Sequence, residues 1–126
     1  MATGTCSVLE QAYLDRVVRA HGLPVGERQV SHRHAGDTRY RDVLIAGLAL
    51  CVELDGRLHH GSVAARDADL DRDLDSVAVD DVLTVRLSWG QCVERACATA
   101  HRLAVVMQRR GWRGRPRACQ TCRAAA

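Results

Sequence analysis

The chain has 126 residues, which suits a single domain with a core of its own. Its apolar fraction of 47% and charged fraction of 26% are those of a globular protein, and its formal net charge is +3. No stretch approaches the roughly 20 consecutive apolar residues of a membrane span, and the first residues lack a signal-peptide profile. We therefore expect a cytoplasmic protein that does not enter the membrane.

The charges are unevenly distributed along the chain. Acidic residues crowd positions 67–81, whereas arginines crowd the C-terminal end. A basic end suits a polyanion such as nucleic acid. A solvated tail without a partner would have the same composition, so both interpretations stay open.

The N-terminal segment predicts a helix. Ser7 and Glu10 have the spacing of a capping box, in which each side chain accepts a hydrogen bond from a free backbone amide of the first turn. Apolar residues then recur with helical spacing up to Gly22, and Pro24 follows as is typical beyond a helix end. The stripe consists of Val8, Leu9, Ala12, Tyr13, Val17 and Ala20.

Residues 40–55 predict a β-hairpin that follows a first strand near Arg28. Two aliphatic runs flank Ala46 and Gly47, which we take as a two-residue loop. Directly opposed residues share a sheet face, and side chains alternate between faces along a strand. One face is therefore almost entirely aliphatic, with Val43, Ile45, Leu48, Leu50, Val52 and Leu54.

The opposite face of this hairpin carries three acids. With the two-residue loop, Asp42 faces Cys51, and Asp42 and Glu53 are diagonal neighbours roughly 7–8 Å apart at Cα. Asp55 lies on the same face. Carboxylates behind an aliphatic face are costly unless something neutralises them, and a divalent cation would do so. The pattern therefore predicts a metal-dependent nuclease.

The second half of the chain predicts helix, strand and helix. Ser62 could cap the first of these helices, residues 82–87 form the strand, and a second capping box at Ser88 begins a helix that ends near Arg110. A small sheet covered by helices, an α+β fold, follows from this order, with an irregular tail over residues 111–126. The expected inward stripes are Val63, Leu70, Leu74 and Val77 in one helix, and Val93, Ala96, Cys97, Ala100, Leu103, Ala104 and Met107 in the other.

An ordered set of motifs resembles the endonuclease-like domains related to very-short-patch-repair enzymes, in the PD-(D/E)XK nuclease superfamily. The motifs are Glu53-Leu-Asp-Gly56, His60, Asp69-x-x-Arg72 and Val-Arg86-Leu-x-Trp89. His-Gly-Leu-Pro at 21–24 and Arg-Gly-Trp at 110–112 look like the actinobacterial branch. The likeness extends over about residues 7–122. It implies one restriction-endonuclease-like domain over residues 1–126, with its core at 7–110, and hydrolysis of DNA phosphodiesters with Mg²⁺ or Mn²⁺.

The resemblance also implies roles for single residues. Asp42 and Glu53 match the two metal-binding acids, and Glu10 matches an auxiliary acid on the first helix, although the capping box accounts for it too. Asp55 stands where the superfamily usually has Lys, and it would add a metal ligand or a base. His60 could then transfer the proton, since its ordinary pKa lies near neutrality; a surface histidine is the alternative.

Lysine is absent from this chain, whose 18 basic residues are all arginine. The missing Lys leaves a rival open, a catalytically inactive nuclease-fold module that binds DNA or regulates another protein. Asp69 and Arg72 fit a helical ion pair better than a catalytic pair.

The six cysteines suggest a second metal site. Disulfides are not expected in the cytoplasm, and Cys119-x-x-Cys122 has the spacing of zinc ligands. Cys97 and His101 are four residues apart and so share a helix face, which makes them better partners than Cys92. The predicted zinc set is therefore Cys97, His101, Cys119 and Cys122; free or redox-active thiols are the alternative.

Overall fold

A computed structural model describes residues 8–30, 41–55 and 62–125, with backbone alone at positions 29, 30, 41, 42, 124 and 125. His60 and the predicted connection at 32–38 lie outside the described residues. The chain divides into a helical unit, from Met1–Val25 and Ser88–Ala126, and a sheet unit, Gly26–Leu87. The single domain predicted for residues 1–126 stays a prediction. Within the described ranges, no helix combines the length and the apolar character needed to cross a bilayer.

Over its described residues, 8–25 and 88–125, the helical unit contains four helical segments, and the predicted first helix is confirmed. Helix α1 is α-helical over Val8–Ala12 and continues as a π-helix over Tyr13–Arg19, which the sequence did not predict. It ends at Gly22, whose φ of 67° is the left-handed conformation that glycine adopts without strain. The amide of Leu23 then donates to the carbonyl of Val18 at 3.0 Å, which closes the helix end.

The second long helix of the helical unit is broken where the sequence predicted continuity. The capping box at Ser88 is confirmed, because the Ser88 amide donates to Gln91 Oε1 at 2.9 Å and the Gln91 amide to Ser88 Oγ at 3.2 Å. A π-helical segment, Gly90–Glu94, follows, and Arg95 interrupts it before helix α3 begins, at Ala96–Arg109. Most of the predicted stripe is buried, and the buried apolar residues of this unit are Leu9, Tyr13, Val17, Val18, Leu23, Cys92, Ala100, Leu103, Ala104 and Met107.

The C-terminal segment is more ordered than the irregular tail that the sequence predicted. Gly114 lies directly against the ring of Trp112, where a Cβ would come within 2.6 Å, so this turn requires glycine. The Arg117 amide then donates to the carbonyl of His21 at 2.9 Å, which fastens the segment to the end of α1. The segment ends in a short helix, Gln120–Ala125.

In the part of the chain that the structure describes, the sheet unit has four strands in the order β1-β2-β3-β4: Glu27–Val30, Arg41–Ile45, Leu50–Asp55 and Leu83–Ser88. The first two pairs are antiparallel, and the sheet as a whole is mixed, with helix α2, Val63–Asp80, between β3 and β4. The predicted α+β class is therefore confirmed. The aliphatic hairpin face is buried as predicted, through Val43, Ile45, Leu50, Val52 and Leu54.

The predicted hairpin register is wrong by two residues. Asp42 lies opposite Glu53 rather than Cys51, because the connection is a 3₁₀ turn at Ala46–Leu48 followed by Ala49 in a left-handed conformation. A favourable two-residue loop demands positive φ at its central positions, which Ala46 resists. A shift of two positions keeps every residue on its face, so the division into an aliphatic and an acidic face survives.

The orientation of α2 contradicts the prediction. Its apolar stripe was expected to face the core, yet Val63, Leu70, Leu74 and Val77 are exposed. Asp69 is instead the buried residue of this helix. The inward face is polar because it meets the acidic face of the hairpin, where an arginine can pair with a carboxylate and a leucine cannot.

Candidate metal centre

Three parts of the helical unit bring four potential metal ligands together. His21 lies at the end of α1, Cys97 in the first turn of α3, and Cys119 and Cys122 at the start of the C-terminal helix. One ligand atom from each residue lies within 4.8 Å of all the others. We call this set the four-ligand cluster.

The spacings within the four-ligand cluster match a tetrahedral ion. Cys119 Sγ lies 3.4 Å from Cys97 Sγ and 3.5 Å from Cys122 Sγ, and His21 Nε2 lies 3.4 Å from Cys122 Sγ. Two sulfur ligands at ~2.3 Å from a tetrahedral zinc stand roughly 3.8 Å apart. The observed spacings are slightly shorter, so a small expansion would admit the ion.

The helix that contains His21 orients the imidazole ring toward the thiols of the cluster. Its side chain is fully buried, and its Nδ1 lies 3.0 Å from the carbonyl oxygen of Val17. A carbonyl oxygen can only accept, so Nδ1 carries the proton and Nε2 keeps its lone pair toward the thiols. Metal-binding histidines in general use their other ring nitrogen in this way.

The thiols of the cluster differ in acidity. The amide of Cys122 donates to Cys119 Sγ and lowers the pKa of Cys119 to about 6, whereas the hydrogen bond with Cys122, together with burial, raises the pKa of Cys97 to about 12. One thiolate therefore makes a second one beside it unfavourable. A bound cation would remove that conflict, because it stabilises every thiolate at once.

Three of the four residues in the predicted zinc set belong to the four-ligand cluster. Cys97, Cys119 and Cys122 converge, but the histidine of the cluster is His21 rather than His101. His101 is exposed and lies at the border, with Nε2 3.7 Å from Cys122 Sγ and its ring edge-on to His21 at 5.7 Å. His21 was missed because it is distant in sequence from the cysteines, and neither the helix end at Gly22 nor the motif His-Gly-Leu-Pro at 21–24 indicates a metal ligand.

A cavity of about 610 Å³ adjoins the four-ligand cluster within the helical unit. Cys97 and Cys119 line it, together with Arg16 and Arg95. An ion could therefore reach the sulfur atoms from solvent without unfolding the unit.

The acidic face of the sheet unit is organised differently. Glu53 is 1% exposed, its Oε1 pairs with Arg72, and its Oε2 lies 3.1 Å from Arg86 Nε. Arg86 also pairs with Asp73 at 3.0 Å, and Arg72 with Asp69 at 3.8 Å. These five residues form what we call the Glu53 cluster, and the predicted Asp69–Arg72 ion pair is part of it.

The Glu53 cluster carries its own cations. Burial would lower the pKa of Arg86, but Glu53 and Asp73 together raise it above its ordinary value. Both oxygens of Glu53 thus face guanidinium groups, and a Mg²⁺ ion placed there would meet positive charge. The described residues do not fit the predicted magnesium site at Glu53. The sequence predicts a divalent ion as the neutralising charge on this face, and the two arginines from α2 and β4 supply that charge instead.

Two of the other predicted catalytic residues lie on the hairpin strands that carry Glu53. Asp42 lies opposite Glu53 in the ladder, and Asp55 is half-buried at the end of β3. Glu10 is buried in the helical unit, and His60 lies outside the described residues. Their catalytic roles stay predictions.

The chain was also compared with known proteins. Scans of family models, of curated proteins and of solved structures each found no match. The nuclease resemblance in the motifs therefore stays an expectation from sequence.

Proposed function

We propose that this chain is a nucleic-acid-binding domain whose basic C-terminal segment is fastened by a structural zinc ion. The observation that carries the proposal is the convergence of His21, Cys97, Cys119 and Cys122, with ligand atoms within 4.8 Å of one another. The proposal corresponds to the non-catalytic alternative that the sequence left open.

Zinc is the ion that this donor set favours. Three sulfurs and one imidazole nitrogen form a Cys₃His set, which is typical of closed structural zinc sites. Soft thiolate ligands disfavour Mg²⁺ and Ca²⁺, which take oxygen. A cytoplasmic location goes with this proposal, because a reducing compartment keeps thiols available to the metal.

The segment that zinc would hold is basic throughout. From residue 95 to residue 126 the chain has eight arginines and no acidic residue. Arg109, Arg113 and Arg115 are exposed near the end of α3. Guanidinium groups pair with phosphate in two-point contacts, and an ordered segment loses less entropy on binding than a free tail. The eight arginines are Arg95, Arg102, Arg109, Arg110, Arg113, Arg115, Arg117 and Arg123.

Metal content and DNA affinity test the two parts of this proposal separately. Protein purified without added zinc should carry about one equivalent by mass spectrometry, and less than about half would contradict the zinc site. Anisotropy of a labelled DNA duplex should show binding that weakens with salt. The double variant Arg113→Gln/Arg115→Gln should reduce the salt slope by about 1.8, from ~0.9 per phosphate contact. Arg66→Gln, on the acidic helix α2, is the control and should leave the slope unchanged.

Hydrolysis of DNA is the second candidate, favoured by one observation. Asp42 lies directly opposite Glu53 in the hairpin, and these are the two residues that the motif resemblance matches to the metal-binding acids. Incubation of supercoiled plasmid with Mg²⁺, with Mn²⁺ and with EDTA decides between the candidates. Nicking that needs the metal and is lost in Asp42→Asn would favour the hydrolase. Binding without nicking in any of these conditions would favour the non-catalytic domain.

A further inference from the structure

Helix α2 presents apolar side chains on its exposed side. Val63, Leu70, Leu74 and Val77 are between 41% and 80% exposed, whereas Asp69 on the packed side is 3% exposed. A surface helix ordinarily buries its apolar stripe and exposes its charges. The inverse arrangement here leaves the most apolar face of the helix exposed to solvent.

Three of the exposed residues, Leu70, Leu74 and Val77, are on successive turns, whereas Arg66 and Asp67 stand between Val63 and Leu70. Spacings of seven, four and three residues place all four apolar residues on one side of the helix at ~100° per residue. The stripe from Val63 to Val77 is about 21 Å long at ~1.5 Å per residue. That length accommodates a partner helix of about four turns. We call these four residues the α2 stripe.

The charges beside the α2 stripe determine what kind of partner fits. Helix α2 contains six aspartates and two arginines. Asp69, Asp73 and Arg72 belong to the Glu53 cluster, whereas Asp67, Asp71 and Asp75 are exposed. Asp67 and Asp71 lie about 60° and 100° round the helix from Leu70 and so border the stripe. Arg66 is also exposed, about 40° to the other side of Leu70. The surface therefore carries one arginine near Val63, is apolar over Leu70, Leu74 and Val77, and is acidic along one edge.

We propose that the α2 stripe is a docking surface for a basic amphipathic helix of a partner protein. Such a helix would lay its leucines into the stripe and pair its lysines or arginines with Asp67 and Asp71, a mode of recognition that other helix-binding surfaces use. A second copy of α2 fits less well, because it would bring two acidic edges together. The proposal concerns the sheet unit alone and does not depend on zinc or on DNA binding.

A designed peptide provides the probe. A labelled 16-residue helical peptide with leucines at helical spacing and lysines beside them should bind the full chain, as measured by fluorescence anisotropy. A matched peptide with glutamates in place of the lysines should bind at least tenfold more weakly. The double variant Leu70→Gln/Leu74→Gln should lower the affinity of the chain for the basic peptide at least tenfold.

Two controls separate docking from a structural role. Val79 is 78% exposed on the same helix but lies about 180° from Leu70, so Val79→Gln should leave peptide affinity unchanged. The Leu70→Gln/Leu74→Gln variant should keep its melting temperature in circular dichroism, because neither side chain is in the core.

Four outcomes would overturn the proposal. The first is no binding of the basic peptide, and the second is equal binding of both peptides. The third is a fall in the melting temperature of Leu70→Gln/Leu74→Gln, which would show that the stripe packs within the fold. The fourth is a dimer in analytical ultracentrifugation that Leu70→Gln/Leu74→Gln dissociates, which would assign the stripe to a second copy.

Discussion

The two polar clusters of this protein differ in whether the chain itself places positive charge beside their potential anions. The Glu53 cluster buries a carboxylate and surrounds it with Arg72 and Arg86, so the chain itself supplies the positive charge. The four-ligand cluster brings three thiols and a histidine together without a neighbouring arginine in the contacts that define it. A buried carboxylate with internal cations forms a structural network, whereas a group of thiols without one could hold a metal ion.

Removal of zinc ligands should produce the largest effect. Cys119→Ser/Cys122→Ser should lower the melting temperature by at least 10 °C, about 3 kcal/mol at ~3–4 °C per kcal/mol, because two of the four proposed zinc ligands are lost. A strong chelator should have a similar effect on the wild type and none on the variant. Cys51→Ala, at a half-buried thiol of the sheet unit, is the control. A variant as stable as the wild type would show that Cys119 and Cys122 do not stabilise the fold through zinc.

Loss of the carboxylate at Glu53 tests the other cluster. Glu53→Gln should destabilise the chain by about 2 kcal/mol in urea unfolding, because Arg72 and Arg86 would keep their charge without their partner. The value is below the ~3–5 kcal/mol of fully buried pairs, since both arginines are partly exposed to solvent. The acid pair expected from sequence predicts the opposite sign, relief of repulsion between carboxylates. Unchanged or raised stability would therefore favour the metal site over the ion-pair network, and Glu94→Gln, at an exposed acid, is the control.

The acidity of Cys119 gives the metal-free protein a distinct dependence on pH. Its folded pKa of about 6 lies below the ordinary value of 9.0, so the folded state binds fewer protons than the unfolded state between those values. The stability of the metal-free chain should therefore rise from about pH 6 to 9 and be lost as the pH falls through the folded pKa.

Thiol alkylation measures the same property at single residues. At pH 7 iodoacetamide should modify Cys119 first, and zinc should protect it. Cys92, whose pKa burial raises to about 12, should stay unmodified in the folded protein. Equal rates at the two cysteines would contradict the assigned acidity.

The smallest effect is expected from the histidine at the border of the four-ligand cluster. His101→Ala should change zinc affinity less than about threefold in competition with a chromophoric chelator, because His21 and not His101 belongs to the four-ligand cluster. His21→Ala should lower zinc affinity at least tenfold, since the loss of even an outer partner of a metal ligand typically costs that much. Equal losses in both variants would mean that the two histidines share the ion.

Short-range sequence patterns were sufficient to predict several features of this protein. Alternation along the hairpin separated Glu53 from the aliphatic face, since a period of two needs no knowledge of the partner strand. The capping box at Ser88, the end of α1 at Gly22 and the convergence of Cys119 with Cys122 are likewise short-range features. Each depends on residues within a few positions of one another, so the sequence is sufficient.

Only the tertiary structure decided which cations neutralise Glu53 and which histidine completes the four-ligand cluster. Arg72 and Arg86 reach Glu53 from a helix and a strand that follow it in the chain, and His21 reaches Cys97 from a helix that precedes it. The rotation of α2 depends on the same contacts, because an arginine that neutralises a buried carboxylate outweighs the burial of a leucine stripe. Such choices compare energies between distant residues, and no window of sequence contains both sides of the comparison.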